Sequence, residues 1–314
     1  MPDPAVHASF GQEVSHKLSG DIRSVLREEI YMFAQYGPDP WFTYQFWRRH
    51  SGRGRRMHTE QTGAFLLSLA RRAKEGSSRE EMFSYLAGFL CHYCLDSATH
   101  PYIVRRTTTE FHYPRCHMSF EHALDACQLK REGTWGEKHA LTDHNMCRRQ
   151  LPESMRKDLD AAYREVYGWE NCWKILNSMY LRYRFCFRLM EPPEGILARL
   201  ARATKSPVLK SLSYSESHFL QVDVENTGEK PWAHSNDDSI ISTESFAALK
   251  EKAEARALRL ISLCYEYVFM GKGTPEELAG EIGNDSYLSG LPVEDPRNLN
   301  VESMLPYGKD AEKQ

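Results

Sequence analysis

The sequence predicts an all-α protein, and three observations carry that prediction. Apolar residues recur at steps of three and four through most of the chain, while the period-two alternation of strands is almost absent. In the stretch Cys91 to His122, CHYCLDSATHPYIVRRTTTEFHYPRCHMSFEH, histidines and carboxylates fall at i, i+4, the step that places side chains on one face of a helix. A chain of 314 residues can bury one large core without a second full domain, so residues 1–270 are expected to form a single multi-helix domain and 271–314 a loosely packed tail.

Composition narrows the function classes. A net charge of −3 and a pI of about 6.5 give no global electrostatic reason to expect nucleic acid or a membrane surface as partner. No apolar run reaches the roughly 20 residues of a membrane span, and the opening MPDPAVHASFGQEV lacks a charged n-region followed by an apolar core. The expectation is a cytoplasmic protein without a transmembrane segment. Its eight cysteines are scattered without the spacing of a disulfide framework, and Cys91-x-x-Cys94 has no second CxxC, so packing is the favoured reading of that pair.

Taken in order, Val6, Phe10, Val14 and Leu18 mark a first helix over residues 5–19 that carries His7. Ile22, Leu26, Ile30 and Phe33 mark a second over 21–35, with Asp21 as its cap. Gly37-Pro38-Asp39-Pro40 then breaks the chain, and the two prolines hold Asp39 in a rigid turn. Aromatic residues follow in WFTYQFW, beginning with Trp41 and Phe42, and then the cationic loop RRHSGRGRR with Arg53, Arg55 and Arg56. The two together suggest a substrate pocket beside a phosphate-facing lip, against the plainer reading of a solvated loop over an aromatic core.

His58 opens a helix of about 20 residues that stops at Gly76. The central helix begins at Ser78 and runs to Pro101; its apolar content on several faces indicates burial. Another carries His117 and Glu121 to a stop at Gly133, and a further one is expected from Glu170 to Met190. Residues 203–241 read as a long irregular segment, and a last helix, capped by Ser242, runs to Met270.

His92, Asp96 and His100 advance about 40° per step round one helix and so form a stripe, and His117 with Glu121 repeats the step on the next helix. Two such stripes facing each other make a metal cage. Buried carboxylates are rare unless paired or metal-bound, and zinc takes imidazole and carboxylate together.

The ligand order His7, Asp39, His58, His92-xxx-Asp96-xxx-His100, His117-xxx-Glu121 resembles the zinc-dependent phospholipase C family. HASFGQEV, YGPDP and GFLCHYCLDSATHPY resemble the family's flanks, and DVENTGEKPWAHSNDDSIISTESF more weakly, over residues 1–270 in all. The resemblance implies a bacterial, non-secreted member without the C-terminal lipid-binding domain. The implied fold is all-α, of the phospholipase C and single-strand nuclease type, with a buried cluster of two to three zinc ions. It further implies that Asp39, His58, His92 and Asp96 hold the first zinc, that His100, His117 and Glu121 hold a more open second, and that His7 and Asp96 hold a third with the N-terminal amine. His112 rivals His100 and His122 rivals His117 for these places.

The activity so implied is zinc-dependent hydrolysis of a phospholipid to diacylglycerol and a phosphorylated head group, with peripheral contact with a membrane surface; Asp39, held rigidly by Pro38 and Pro40, is expected to act as its general base. A single-strand-specific zinc nuclease and a helical protein that holds zinc without turnover are the competing readings.

Overall fold

The computed structural model describes residues 4–43, 52–109, 116–137, 140–143, 150–190, 195–206, 209, 213–214 and 222–300. Their order is α1 (Pro4–Lys17), α2 (Gly20–Val25), α3 (Glu28–Ala34), α4 (Pro40–Thr43), α5 (Gly52–Thr59), α6 (Thr62–Glu75), α7 (Arg79–Thr109), α8 (Cys116–Arg131), α9 (Ala140–Asp143), α10 (Arg156–Tyr167), α11 (Cys172–Met190) and α12 (Ile196–Thr204). A hairpin of β1 (Trp232–His234) and β2 (Asp237–Ser242) follows, then α13 (Phe246–Phe269) and α14 (Pro275–Ile282). The all-α prediction holds; the hairpin is the one sheet among the described residues, antiparallel, with Ala233 opposite Ile241.

Helix α7 is the axis of the core. Its residues from Met82 to Asp96 are buried without a break, because α3, α6 and α13 all pack on it. Helices α1 and α8 close over its C-terminal half, where Asp96 and His100 lie. Among the described residues, no helix is long and apolar enough to cross a membrane. Cys91 and Cys94 are buried in this packing, and burial pushes both thiols up, that of Cys91 to about 12, as the packing reading requires.

Several boundaries differ from expectation, each for a tertiary reason. The helix over 21–35 is two helices: Leu26 is extended, and the Arg27 N–H donates to Ser84 Oγ of α7 at 2.8 Å. Its cap is Ser19, whose hydroxyl accepts from Ile22 N–H, and Asp21 sits in the first turn instead. His58 ends α5 and does not open α6, since Gln61 turns left-handed between them at φ 52°. The loop expected around Arg53, Arg55 and Arg56 is helical from Gly52. Helix α13 is capped by Ser245, because Ser242 ends β2.

Pro101 does not end α7. A proline leaves the carbonyl four residues back without its helical donor, here that of Ser97, and Gly290 packs against that carbonyl from outside: a Cβ at Gly290 would lie 2.3 Å from Ser97 O. Gly290 belongs to the stretch expected to be a loose tail, and that expectation fails through residue 300. Thr274 and Glu277 form a capping box that starts α14, a device contributing about 1 kcal/mol. Leu278, Ile282, Tyr287 and Leu288 are then buried against the helices. Residues 301–314 lie outside the described residues.

Candidate metal centre

Three helices deliver six of the eight histidines and acids to one place. The α7 stripe of His92, Asp96 and His100 supplies the floor, α8 brings His117 and Glu121 across from it, and α1 brings His7. Asp39 and His58 come from the short elements on the other side, α4's leading turn and the last turn of α5. Gly37 makes that turn possible, with φ +51° and a bare Cα against the His92 ring, where a Cβ would come within 2.4 Å.

The donor atoms assemble into three groups, each with its atoms within 4.8 Å of one another: His7, His92 and Asp96; Asp39, His58 and His92; His100, His117 and Glu121. Asp96 is shared by position. Its Oδ1 lies 3.2 Å from His7 Nε2, and its Oδ2 lies 2.9 Å from His92 Nε2 and 3.9 Å from His58 Nε2. Asp39 reaches His58 Nε2 at 3.1 Å and His92 Nε2 at 3.4 Å. Glu121 Oε1 lies 2.9 Å from His117 Nε2 and 3.3 Å from His100 Nε2. All eight expected ligands therefore lie in these groups. All are buried except His117, which is half-buried.

The tautomers favour a cation. His58 Nδ1 faces Gly54 O at 2.7 Å, His92 Nδ1 faces Gln35 O at 2.8 Å and His100 Nδ1 faces Tyr287 O at 2.8 Å. A carbonyl only accepts, so each Nδ1 carries a proton, and Nε2 is the nitrogen left facing carboxylate oxygen to hold either a second proton or a metal ion. Lone pair against anion is repulsive unless a proton or a metal ion lies between, and a ring fixed by a carbonyl on its far nitrogen is the arrangement that prepares histidine for a metal. Among the described residues His7 Nδ1 and Glu121 Oε2 are buried without a hydrogen-bond partner. The residues present fit zinc, which takes nitrogen and carboxylate donors in this mixture.

The charges reflect the crowding. Burial opposes ionisation of Asp96, but the His100 and His92 rings beside it prevail and hold its carboxyl well below the usual range. His117 and His100 do the same for Glu121 against burial. Burial lowers His92 and His100, yet Asp96 with Asp39 raises the first to about 8, and Asp96 with Glu121 raises the second to about 9. His7 goes the other way, lowered by burial and then by the neighbouring His92, on whose ring it stacks at 4.3 Å.

Two supports have no counterpart in the sequence reading. Asp125 of α8 accepts from Ala5 N–H at 3.2 Å and Val6 N–H at 2.8 Å, and so anchors the first turn of α1 that aims His7; Tyr214 donates to the same carboxylate at 2.7 Å. Burial raises Asp125 to about 7 despite these donors. The second support is a strap over residues 284–290. Tyr287 N–H donates to His58 O at 2.9 Å, its carbonyl takes His100 Nδ1, and its ring lies 5.2 Å from that of His58 and 5.8 Å from that of His92. Asn284 holds the strap to α6 by accepting from Gly63 N–H, and Asp285 holds it to α13 through Arg256 at 2.7 Å.

The expected substrate wall is placed differently. Trp41 is wholly buried, its indole N–H on Tyr163 Oη, so it belongs to the core. Arg53 lies over the rings of Trp41 and Trp169 at 5.2 and 4.6 Å, and Arg56 pairs with Glu60 and lies over Tyr167, so neither forms a cationic loop of its own. Arg55 is half-buried on the same helix. Phe42 borders the centre, 4.9 Å from the His58 ring. His122 stacks on Tyr214 at 4.3 Å and is in none of the three ligand groups, while His112, the other rival, and the N-terminal amine lie outside the described residues.

Residues 12–173 match the model of a family described as zinc dependent phospholipase C. The matched span takes in Asp39, His58, His92, Asp96, His100, His117 and Glu121, and leaves out His7 and the strap. No curated protein and no solved structure matches the chain.

Proposed function

This chain belongs to the zinc-dependent phospholipase C family, and from that premise we propose that it hydrolyses a phospholipid on the glycerol side of its phosphate. The products are diacylglycerol and a phosphorylated head group. The observation that carries this reading is the meeting of three buried histidine and carboxylate groups across α1, α7, α8 and the Asp39 turn. Asp39, His58, His92 and Asp96 would hold one zinc, His100, His117 and Glu121 a second, and His7 with Asp96 a third. Zinc bound there supplies Lewis acidity toward the phosphate oxygens and makes a water acidic enough to attack near neutral pH.

The protein's own share is placement and proton transfer. Asp39, held between two prolines, offers two carboxylate oxygens at different angles, facing His58 and His92 respectively. With one oxygen engaged as a ligand, the other is the base that takes the proton of the attacking water. The carbonyls of Gly54, Gln35 and Tyr287 keep three imidazoles from rotating, so that their positions do not have to be organised during the reaction. The half-buried His117 makes the third group the more accessible one, the side from which a phosphate would enter.

The test combines elemental analysis with three substrates: phosphatidylcholine, a chromogenic phosphodiester and single-stranded DNA. Two to three zinc ions per chain with turnover of the phospholipid is the expected result. Preferred cleavage of DNA would assign the nuclease activity instead, and full zinc loading with no turnover of any of the three would leave a structural zinc protein.

A further inference from the structure

Four of the seven large apolar side chains exposed among the described residues, Leu181 at 59 %, Phe185 at 62 %, Ile196 at 55 % and Leu200 at 46 %, lie on α11 and α12; the others are Ile240 and Ile241 of β2 and Met270. Leu181 and Phe185 are four residues apart and make one stripe along α11; Ile196 and Leu200 make another along α12. Core packing accounts for the other faces. Leu176, Met179, Phe187 and Met190 of α11 are buried, as are Ala198 and Ala201 of α12, and the two helices pack on each other. It does not account for the stripes, since a protein that works alone in water keeps such surface small.

The charge on the pair is one-sided. Lys174, Arg182, Arg184, Arg188, Arg199 and Arg202 are its charged side chains, all exposed, and neither helix carries a carboxylate, although the chain as a whole has a net charge of −3. Apolar stripes on helices whose own charged side chains are all cations match a lipid interface, where leucine and phenylalanine enter the boundary of the acyl chains and guanidinium groups stay at the phosphates. A second copy of the same face would set arginine against arginine. A nucleic acid would take the arginines and leave Leu181, Phe185, Ile196 and Leu200 in water.

We propose that α11 and α12 dock this protein on an anionic lipid surface. The buried side of α11 joins that surface to the metal centre: Phe187 stacks on Tyr36 at 6.0 Å, directly before the Gly37-Pro38-Asp39 turn, and α11 also packs on α4, which begins at Pro40. The docked face and the Asp39 turn are thus separated by one helix, about 10 Å across. What docking achieves, the delivery of membrane phospholipid to the centre, rests on the phospholipase reading; the docking itself does not.

The experiment is co-sedimentation of the full-length, zinc-loaded protein with vesicles of phosphatidylglycerol and phosphatidylcholine, and with vesicles of phosphatidylcholine alone. Binding to the anionic vesicles is expected, weakening as salt is raised. The double variant Phe185→Ser with Leu200→Ser should lower partitioning by about tenfold or more, with turnover of a soluble chromogenic phosphodiester and the circular dichroism spectrum unchanged. Arg184→Gln with Arg199→Gln should lower binding to the anionic vesicles and remove their advantage over phosphatidylcholine. The proposal is overturned if wild-type protein ignores vesicles, if both variants bind as wild type does, or if sedimentation velocity shows a dimer that the serine variant dissolves. Binding of single-stranded DNA that depends on these arginines, with no vesicle binding, overturns it equally. A protein that binds vesicles through this face but cleaves no phospholipid keeps the docking surface and loses the phospholipase reading; cleavage of dispersed short-chain phospholipid without vesicle binding does the reverse.

Discussion

At the scale of single residues, Asp96 and Asp39 look alike in composition and differ in what their two oxygens face. Asp96 turns one oxygen to His7 and the other to His92, which are proposed to hold different ions, whereas both oxygens of Asp39 face His58 and His92. Asp96→Asn should therefore cost more than one zinc equivalent by elemental analysis, and loss of a single ion would argue against sharing. Asp39→Asn keeps shape and one weak ligand oxygen but removes the proposed base. Turnover of a phosphodiester should fall by about 100-fold or more, the usual worth of such a base, while zinc falls by at most one ion; near wild-type turnover would pass the role to Glu121. These residues were legible because helical spacing converts directly into a face, and because a Pro-flanked aspartate has few ways to point. Trp41 and Arg53 were misread for the opposite reason. Their neighbours along the chain show aromatic and cationic character but not direction, and the partners that decide it, Tyr163 and Trp169, lie over a hundred positions away and were unmarked.

At the scale of elements, the strap over residues 284–290 is the clearest case of function without a sequence signature. It acts on His58 and His100 through the Tyr287 backbone N–H and C=O, groups that every residue but proline carries. The Arg256–Asp285 pair is partly exposed, and such a pair contributes no more than about 1 kcal/mol, so the strap's position depends mainly on its hydrogen bonds and on the contact of Gly290 with α7. Gly290→Ala puts a Cβ 2.3 Å from Ser97 O at a φ of +66°. It should lift the strap and weaken zinc by about 10–100-fold, the range seen when supports of metal ligands are removed. The control is Gly280→Ala on α14, where a Cβ meets nothing within 4 Å; equal zinc affinity in the two variants would show that the strap does not tune the centre. The same distance effects hid the continuation of α7 through Pro101 and the break at Leu26, since in each case a residue far along the chain supplies the deciding contact. Helices read from strong apolar periodicity, α1, α6, α7, α11 and α13, needed no such help to be found.

At the scale of the whole molecule, the cluster ties folding, metal and pH together. In the metal-free protein His92 and His100 titrate near 8 and 9, above the ordinary histidine value of 6.5, because Asp96, Asp39 and Glu121 face them. A raised folded-state value contributes stability that is complete below the unfolded value and lost as pH rises through the folded one. Asp96 and Glu121, held low, contribute stability above their unfolded values near 4 that is lost as pH falls further. The metal-free protein should accordingly lose Tm from about pH 7 to 9.5, after Asp125, raised to about 7, has given up its own contribution at lower pH. Zinc reverses the upper slope, since it displaces the protons on His92 and His100 and binds more tightly as they become easier to remove; each displaced proton makes the apparent affinity fall about tenfold per pH unit below these values. Thermal melts of chelator-treated and zinc-loaded protein at pH 6, 7.5 and 9 measure both. The gap in Tm between the two forms should widen steadily with pH. A gap that stays constant or narrows would mean that zinc displaces no protons from these histidines, and the cluster as drawn would not be its site.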